Sequence, residues 1–449
     1  MNAVVERKRA PIAVSLGPAI VVHPTAPSEI VQVFTDPKRF PSPVRPMGTG
    51  SSITRCVTAN AGTLLDLSQM NRVLRIEADT VTVQPGIRLQ ELAEILAHEG
   101  LELVGGFDFA NRTAGGAVCS AGLEATIAGD VSQFAGHATQ LKVVSPQGRK
   151  FVVTENTKSL LALMRLSYGL LGVVYEITLR VRPVQGFSVR TAKVSFKDFA
   201  KLGPKVRSAG AGVKLYLLPF RDRIFFELRQ PAADADPGKR YAWKFRDWAV
   251  YSAVPAIARS LAHAMPIRQL RYPLIDNLSA ATQTLVNFKG IQAGSNASEQ
   301  SGRHKALPQR FNHCTWGFPA SQLAKVVLSY KLFCKEYYAR TGFRCDMPTV
   351  GFRLNQDRSA LLSPSFDGAL LTLSPLSTQD GGWDDFVFDF AEFAAGQGGV
   401  PFFNQTKNAT PECVSRQFGT RLTFFNRVRR ELDPHDRLLN QYFAAYFAA

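Results

Sequence analysis

No run of about 18 consecutive apolar residues occurs anywhere in this 449-residue chain, so a helix crossing a bilayer is not expected. The opening stretch, MNAVVERKRAPIAVSLG, has charge but no continuous apolar centre, which argues against a secretory signal. A cytoplasmic location follows as the default, with room for peripheral contact on the inner face of a membrane. Cysteine is sparse and scattered: Cys56, Cys119, Cys314, Cys334, Cys345 and Cys413 form no CxxC pair and no short ligand spacing. A zinc site is therefore not expected, and free thiols in a reducing compartment are the simpler reading. Acidic residues are also short, 36 against 53 Lys plus Arg, for a formal net charge of +17. That excess attracts anions such as nucleic acid, anionic lipid and phosphorylated or carboxylated ligands. No Lys/Arg block, finger spacing or RNP-like aromatic signature accompanies it, so no nucleic-acid partner is expected.

What is present is a globular composition, 45% hydrophobic and 20% charged, in a chain too long for one ordinary core. Two strand-like runs in RVLRIEADTVTVQ (72–84) end at Pro85-Gly86. Leu89, Leu92, Ala93 and Leu96 recur at helical spacing, and Gly100 stops that helix. Ser145-Pro146-Gln147-Gly148 sits between two apolar runs as the turn of a hairpin. A strand from Val173 to Val181 ends at Pro183. Past about residue 190 the texture changes. Residues 231–239 read as a loop, and 240–272 interleave Trp243, Trp248 and Tyr251 with Lys244, Arg246, Arg259, Arg268 and Arg271. Two more strands are expected near 311–318 and 349–354, and a last helix near 414–431 ends at Asp433-Pro434.

Three glycine clusters carry chemistry. Met47-Gly48-Thr49-Gly50-Ser51-Ser52 places small residues in a short loop, where backbone N–H groups can approach a phosphate and hydroxyls can add donors. It lacks the P-loop lysine and the third Rossmann glycine, so alone it reads better as an ordinary turn. Ala114-Gly115-Gly116-Ala117, followed by Ser120 and Gly122, is the second. Ser167-Tyr168-Gly169-Leu170-Leu171-Gly172 is the third, at the entry to a strand.

In that order, RPMGTGSS, VTVQPGIRLQEL, TAGGAV and LSYGLLGVVYEITLRV resemble the FAD-binding domain of the vanillyl-alcohol oxidase (PCMH-type) superfamily. The likeness is greatest to the aldonolactone and alditol oxidases, with the decaprenylphosphoryl-ribose oxidases as near relatives, and it covers about 25–190 plus the C-terminal segment. It implies an α+β protein: a two-subdomain FAD-binding domain (15–187), a substrate or cap domain with an antiparallel sheet flanked by helices (188–400), and a segment returning to the FAD site (401–449). FAD would lie with its pyrophosphate against residues 47–52 and 114–122. Val174 would stand by the adenine, and Asn440 would belong to the returning segment. The resemblance further places Arg353 in the active site and Lys407 beside flavin N1. A fixed cation there would stabilise charge developing at the N1–C2=O end. For each, a surface or paired structural side chain is the competing reading.

Departures matter too. Many relatives tether FAD through a histidine where this chain has Ser51, so FAD is expected to be held without a covalent bond. The Gly-x-His-Gly of relatives is replaced by Ser120-Ala121-Gly122-Leu123-Glu124. The alditol oxidases carry a glutamate where this chain has Gly351, so a base must come from elsewhere. His313 is a candidate, with a hydrogen-bonded structural role as its alternative. Thr315, on the same strand face, could bind a substrate hydroxyl. The resulting expectation is oxidation of a CH–OH group in a polyol, an aldonolactone or a lipid-linked sugar. Action on a hydroxy acid or a C=C bond, and a flavin binder that has lost catalysis, are the alternatives. Residues 240–272 read either as an interfacial helix on anionic lipid or as a helical pair over the substrate cleft.

Overall fold

The computed structural model describes residues 17–105, 112–123, 132–208, 210–232, 245, 248–286, 293–295, 311–379 and 381–447. The N-terminal part holds two small sheets. In the first, β1 (Ile20–Val22), β2 (Val44–Met47) and β3 (Thr63–Asp66) run parallel in the order β1-β3-β2. In the second, β4 (Val73–Ile76), β5 (Thr80–Val83), β7 (Ala138–Val144), β8 (Lys150–Thr154) and β9 (Val173–Pro183) are antiparallel in the order β4-β5-β9-β7-β8, with β6 (Leu101–Leu103) paired to β9. The strands expected within 72–84 and from Val173, and the hairpin turned at Ser145–Gly148, are present.

Helices close the apolar faces of these sheets. α1 (Pro27–Thr35) buries Ile30, Val33 and Phe34. α2 (Leu89–His98) buries Leu89, Leu92, Ala93 and Leu96, the four positions of the helical spacing, and gives way at Gly100 with φ of +71°. α3 (Ala114–Cys119) and α4 (Lys158–Met164) complete the layer.

The second part is built on an eight-stranded antiparallel sheet. Its chain holds β10 (Gly186–Val194), β11 (Gly212–Leu218), β12 (Arg223–Pro231), β13 (Ala293–Ser295), β14 (Asn312–His313), β15 (Trp316–Pro319), β16 (Thr349–Leu354), β17 (Leu370–Leu373), β18 (Leu376–Ser377) and β19 (Val400–Pro401). The sheet order is β13-β10-β12-β11-β16-β17-β15-β19, while β14 and β18 pair separately. Pro231 ends β12, and the rest of the expected loop from residue 233 on, together with Trp243, Lys244 and Arg246, lies outside the described residues.

Alternation along β11 and β16 separates two cores. Val213, Leu215 and Leu217 face α5 (Phe196–Ser208), in a cluster with Trp316, Tyr330 and Phe390. Tyr216, Leu218, Val350, Phe352 and Leu354 face the other way, into a cluster with Ala121, Leu123 and Phe402. The second face is covered by a π-helical turn (Ala249–Ala253) and the hairpin α6 (Val254–Ala264) and α7 (Arg268–Val286). On the first face lie α8 (Leu323–Thr341) and α9 (Trp383–Gly396), whose Phe333 and Phe393 rings stack at 4.9 Å.

The chain then returns. α10 (Pro411–Leu432), broken at Gly419, and α11 (Gln441–Phe447) bury Phe418, Phe425 and Phe443 in the core of the N-terminal part.

Candidate FAD site

The first two glycine clusters converge. β2 delivers the loop at Gly48, where a β-carbon would stand 2.3 Å from Thr113 Oγ1. Only glycine fits that approach. Thr113 Oγ1 also caps α3 by accepting the Gly116 N–H at 3.2 Å. Gly115 is a glycine for a different reason: it lies against the Pro85 turn, where a β-carbon would meet Pro85 Cβ at 2.8 Å. The third cluster joins them, since Gly169, at φ of +68°, packs on Pro46.

Buried arginine and asparagine side chains hold this arrangement. Arg45 is 1% exposed and donates to the carbonyls of Leu438, Cys56 and Tyr168. Arg112 donates to Gly116 O, Ser120 O and Ser120 Oγ. Asn440 gives its amide to the carbonyls of Arg55, Cys56 and Thr58 and accepts the Phe443 N–H. Its side chain is thus committed to backbone. It clamps the loop after the first glycines and does not face a ligand.

Residues 402–406 run between the two loops. Ser52 Oγ and the Ile53 N–H both donate to Asn404 O, and Asn404 Nδ2 donates to Ala121 O at 2.9 Å. On the same side Gln133 grips Gly122, accepting its N–H at 2.9 Å and donating to its carbonyl. Asp357, at the exit of β16, accepts the Gln133 N–H at 2.7 Å.

What remains unused fits a dinucleotide. Among the described residues the amides of Thr49 through Ser52 donate to no protein group, and Gly50 and Ser51 are exposed. A run of free N–H groups on small residues is an anion cradle. Asn404 Oδ1 and Gln405 Oε1 are buried without partners, and a buried orphan acceptor calls for a donor. At Val173–Glu176, β9 is paired by β7 on one side, while the β5 ladder stops at Ile177. Val174 therefore has a strand edge available to a base. Glu124 lies outside the described residues.

Residues 18–154 match the FAD binding domain family. The N-terminal third of this chain is an FAD-binding domain. Its sequence is similar to L-gulono-1,4-lactone dehydrogenase of Mycobacterium tuberculosis, 29% identical over 37% of this chain and 38% of that protein. It is also similar to mitochondrial L-galactono-1,4-lactone dehydrogenase of Arabidopsis thaliana, 28% identical over 40% and 30%. The mitochondrial D-lactate dehydrogenase (cytochrome) of that plant is 30% identical over 38% and 32%. The matched stretch thus spans about a third of the length of these relatives. Cholesterol oxidase from Brevibacterium sterolicum has the same fold over 95% of this chain and 94% of its own, with a TM-score of 0.74 at 13% identity. The chain has the α+β fold of the vanillyl-alcohol oxidase flavoenzymes, and FAD is the cofactor of its N-terminal domain.

Two residues expected beside the flavin make their contacts on the helix side of the sheet. Lys407 points to the first turn of α9, 3.8 Å from Asp384. It neighbours Cys314, a member of the helix-side core. Arg353 alternates onto the same helix-facing side of β16 as Thr349, whose hydroxyl meets Tyr330 of α8. The Arg353 guanidinium donates to the Val206 and Ala211 carbonyls at 2.9 and 2.7 Å. Gly351 shares that face, and any side chain there would strike Thr372 O, 2.7 Å from a β-carbon. Thr315 is fully buried, its hydroxyl 2.7 Å from Ser374 Oγ. His313, in β14, is half-buried with its ring 6.5 Å from Phe311.

Asn404, Gln405, Gln133 and Asp357 were missed in the sequence. The one available signal was the polar pair Asn404-Gln405 directly after the apolar run Val400–Phe403. All six cysteines are free, and burial pushes the Cys119, Cys314 and Cys334 thiols up to about 12.

Proposed function

We propose that this chain is an FAD-dependent oxidoreductase that oxidises a CH–OH group of a polyol, an aldonolactone or a related sugar. The observation that carries the reading is the meeting of the Gly48–Ser52 and Thr113–Gly116 loops beside Asn404. Residues 15–187 form the FAD domain in this reading, 188–400 the substrate domain, and 401–449 the returning segment. The amides and hydroxyls of residues 47–52 and 114–117, with Ser120 and Gly122, hold the pyrophosphate side, and Val174 offers its backbone to the adenine. Bound FAD supplies the hydride acceptor. The protein's part is to orient the carbinol, exclude water through the α6–α7 hairpin and take up a proton. Ser51 has no means of forming the histidyl tether, so FAD is held by non-covalent contacts. The aldonolactone dehydrogenases among the relatives support the substrate class. Anaerobic addition of lactones and alditols to the yellow holoprotein should bleach the flavin. Bleaching by hydroxy acids alone, or by no donor at all, would overturn the assignment.

A second reading concerns the surface of the same domain. Among the described residues, half of the 14 strongly exposed large apolar side chains fall between residues 245 and 285: Phe245, Trp248, Ile257, Ile267, Leu270, Leu274 and Leu285. Ile267, Leu270 and Leu274 follow helical spacing, and Arg259 and Arg268 flank them. A patch of apolar side chains edged by cations suits an anionic bilayer. No helix among the described residues is long and apolar enough to cross a membrane. Vesicles containing anionic lipid should sediment the protein, and Leu270→Ser with Ile267→Ser should release it. Equal sedimentation of wild type and double variant would exclude this patch as the contact.

A further inference from the structure

The sheet face turned away from α5, α8 and α9 carries a charged cluster that the flavin loops do not use. Lys214 of β11 is 3% exposed. Its Nζ donates to Tyr251 Oη at 2.6 Å. The rings of Phe352, Tyr251 and Tyr216 surround it at 5.0, 5.2 and 5.4 Å, and the two phenol oxygens are 3.3 Å apart. Across the ladder from Lys214 stands Glu227, fully buried, with Arg229 donating to it. On β10, Lys193 lies over the Phe225 ring. The charges of α7 are turned elsewhere, buried Arg271 to Gln379 and half-buried Asp276 to Arg344.

Placement gives this cluster its meaning. Tyr216 and Phe352 share one apolar cluster with Ala121 and Leu123, which bracket Gly122, and with Phe402, two residues before Asn404. The face bearing Lys214 is therefore the one that meets the FAD loops. Within the pair Lys214 is sealed and Tyr251 is half-buried, so Tyr251 is the member that keeps exposed surface. Tyr251 sits in the single π-helical turn of the structure's described residues, an irregularity that recurs at functional sites. An ammonium at hydrogen-bond distance in a poorly solvated setting favours phenolate over phenol.

We propose that Tyr251 is the proton acceptor for the substrate hydroxyl and that Lys214 is the positioning residue that keeps its phenol ionised. The inference rests on the CH–OH reading above. The substrate O–H bond breaks and its proton passes to the Tyr251 phenolate oxygen. The carbinol C–H leaves as hydride to oxidised FAD, and the C–O bond becomes a carbonyl.

Carbon-13 NMR of the ζ-labelled tyrosines in the full-length holoprotein tests the pair without any substrate. One resonance, missing in Tyr251→Phe, should titrate at least about tenfold more acidic than exposed tyrosines. It should move back in Lys214→Met and hold its place in Lys214→Arg. With a donor that reduces the flavin, Tyr251→Phe should slow reduction by roughly 10²- to 10⁴-fold while FAD stays bound. Titration of Tyr251 together with the other tyrosines, or reduction within about threefold of wild type, overturns the proposal. If no CH–OH donor reduces the flavin, the parent reading fails and the NMR still decides the pair. If donors reduce Tyr251→Phe normally, the pair fails and the parent reading stands.

Discussion

Gly48 and Thr113 are in direct contact across 65 residues of chain, with no room for a methyl group between them. The contact fixes the spacing of the two loops, because Thr113 also caps the helix that presents Gly116. Gly48→Ala must push the cap aside or move the loop by more than half an ångström. Both would misplace the free amides of Thr49 through Ser52. The expected outcome is a folded protein that purifies with less than about a tenth of the wild-type flavin, since misplaced donors leave the anion's charge uncompensated. Absorbance of bound flavin per mole of protein checks it.

Asn440→Ala tests a different link. Its amide meets three carbonyls of residues 55–58, and its oxygen accepts the Phe443 N–H. Losing these leaves buried carbonyls less well satisfied, at a cost of about 2–3 kcal/mol. The thermal midpoint should fall and FAD should dissociate faster, with the rate of flavin reduction at saturating FAD within about twofold of wild type. A reduction rate that collapses while the midpoint holds would mean that Asn440 faces the flavin after all.

Lys407 and Arg353 give a paired contrast. Lys407 is about a third exposed and its partner Asp384 is largely exposed, a setting in which ion pairs contribute little. Lys407→Ala should therefore leave flavin content, reduction rate and stability near wild type. Arg353 is buried against two carbonyls, so Arg353→Met should lower stability by about 1–3 kcal/mol and leave KM unchanged. A large drop in kcat on Lys407→Ala would contradict the placement of that side chain on the α9 side.

Periodicity was enough for the N-terminal elements. Leu89, Leu92, Ala93 and Leu96 are the buried face of α2, and turn chemistry at Ser145–Gly148 marks the β7–β8 hairpin. The glycine clusters were legible because close backbone contact excludes every larger residue, as at Gly48. Side-chain direction was not. Arg353 lies in a strand whose two faces are both apolar, so alternation could not say which face meets the flavin. Only the pairing of β16 with β11 and β17, and the contact of Thr349 with Tyr330, decide it. Asn404 and Lys214 were invisible for a related reason. Each acquires its role from partners more than 30 residues away.

His137 supplies a pH dependence that belongs to the fold and not to the reaction. It is 4% exposed. Burial, with Arg180, Arg182 and Arg165 nearby, lowers its pKa from 6.5 to about 4. The unfolded chain therefore binds a proton below about pH 6.5 that the folded chain refuses until about pH 4. Stability is at its full value above the unfolded pKa and falls as pH drops through this window. The loss approaches about 3 kcal/mol at the lower end, because each tenfold difference in proton affinity between the two states is worth roughly 1.4 kcal/mol. Carboxylates titrate over part of the same range, so the informative quantity is the difference between wild type and His137→Gln. Denaturant midpoints measured from pH 7 down to pH 4 should show wild type losing more stability than the variant, with the gap opening below about pH 6. Parallel curves would mean that the imidazole is solvated or paired in the folded protein, contrary to its place beneath β9.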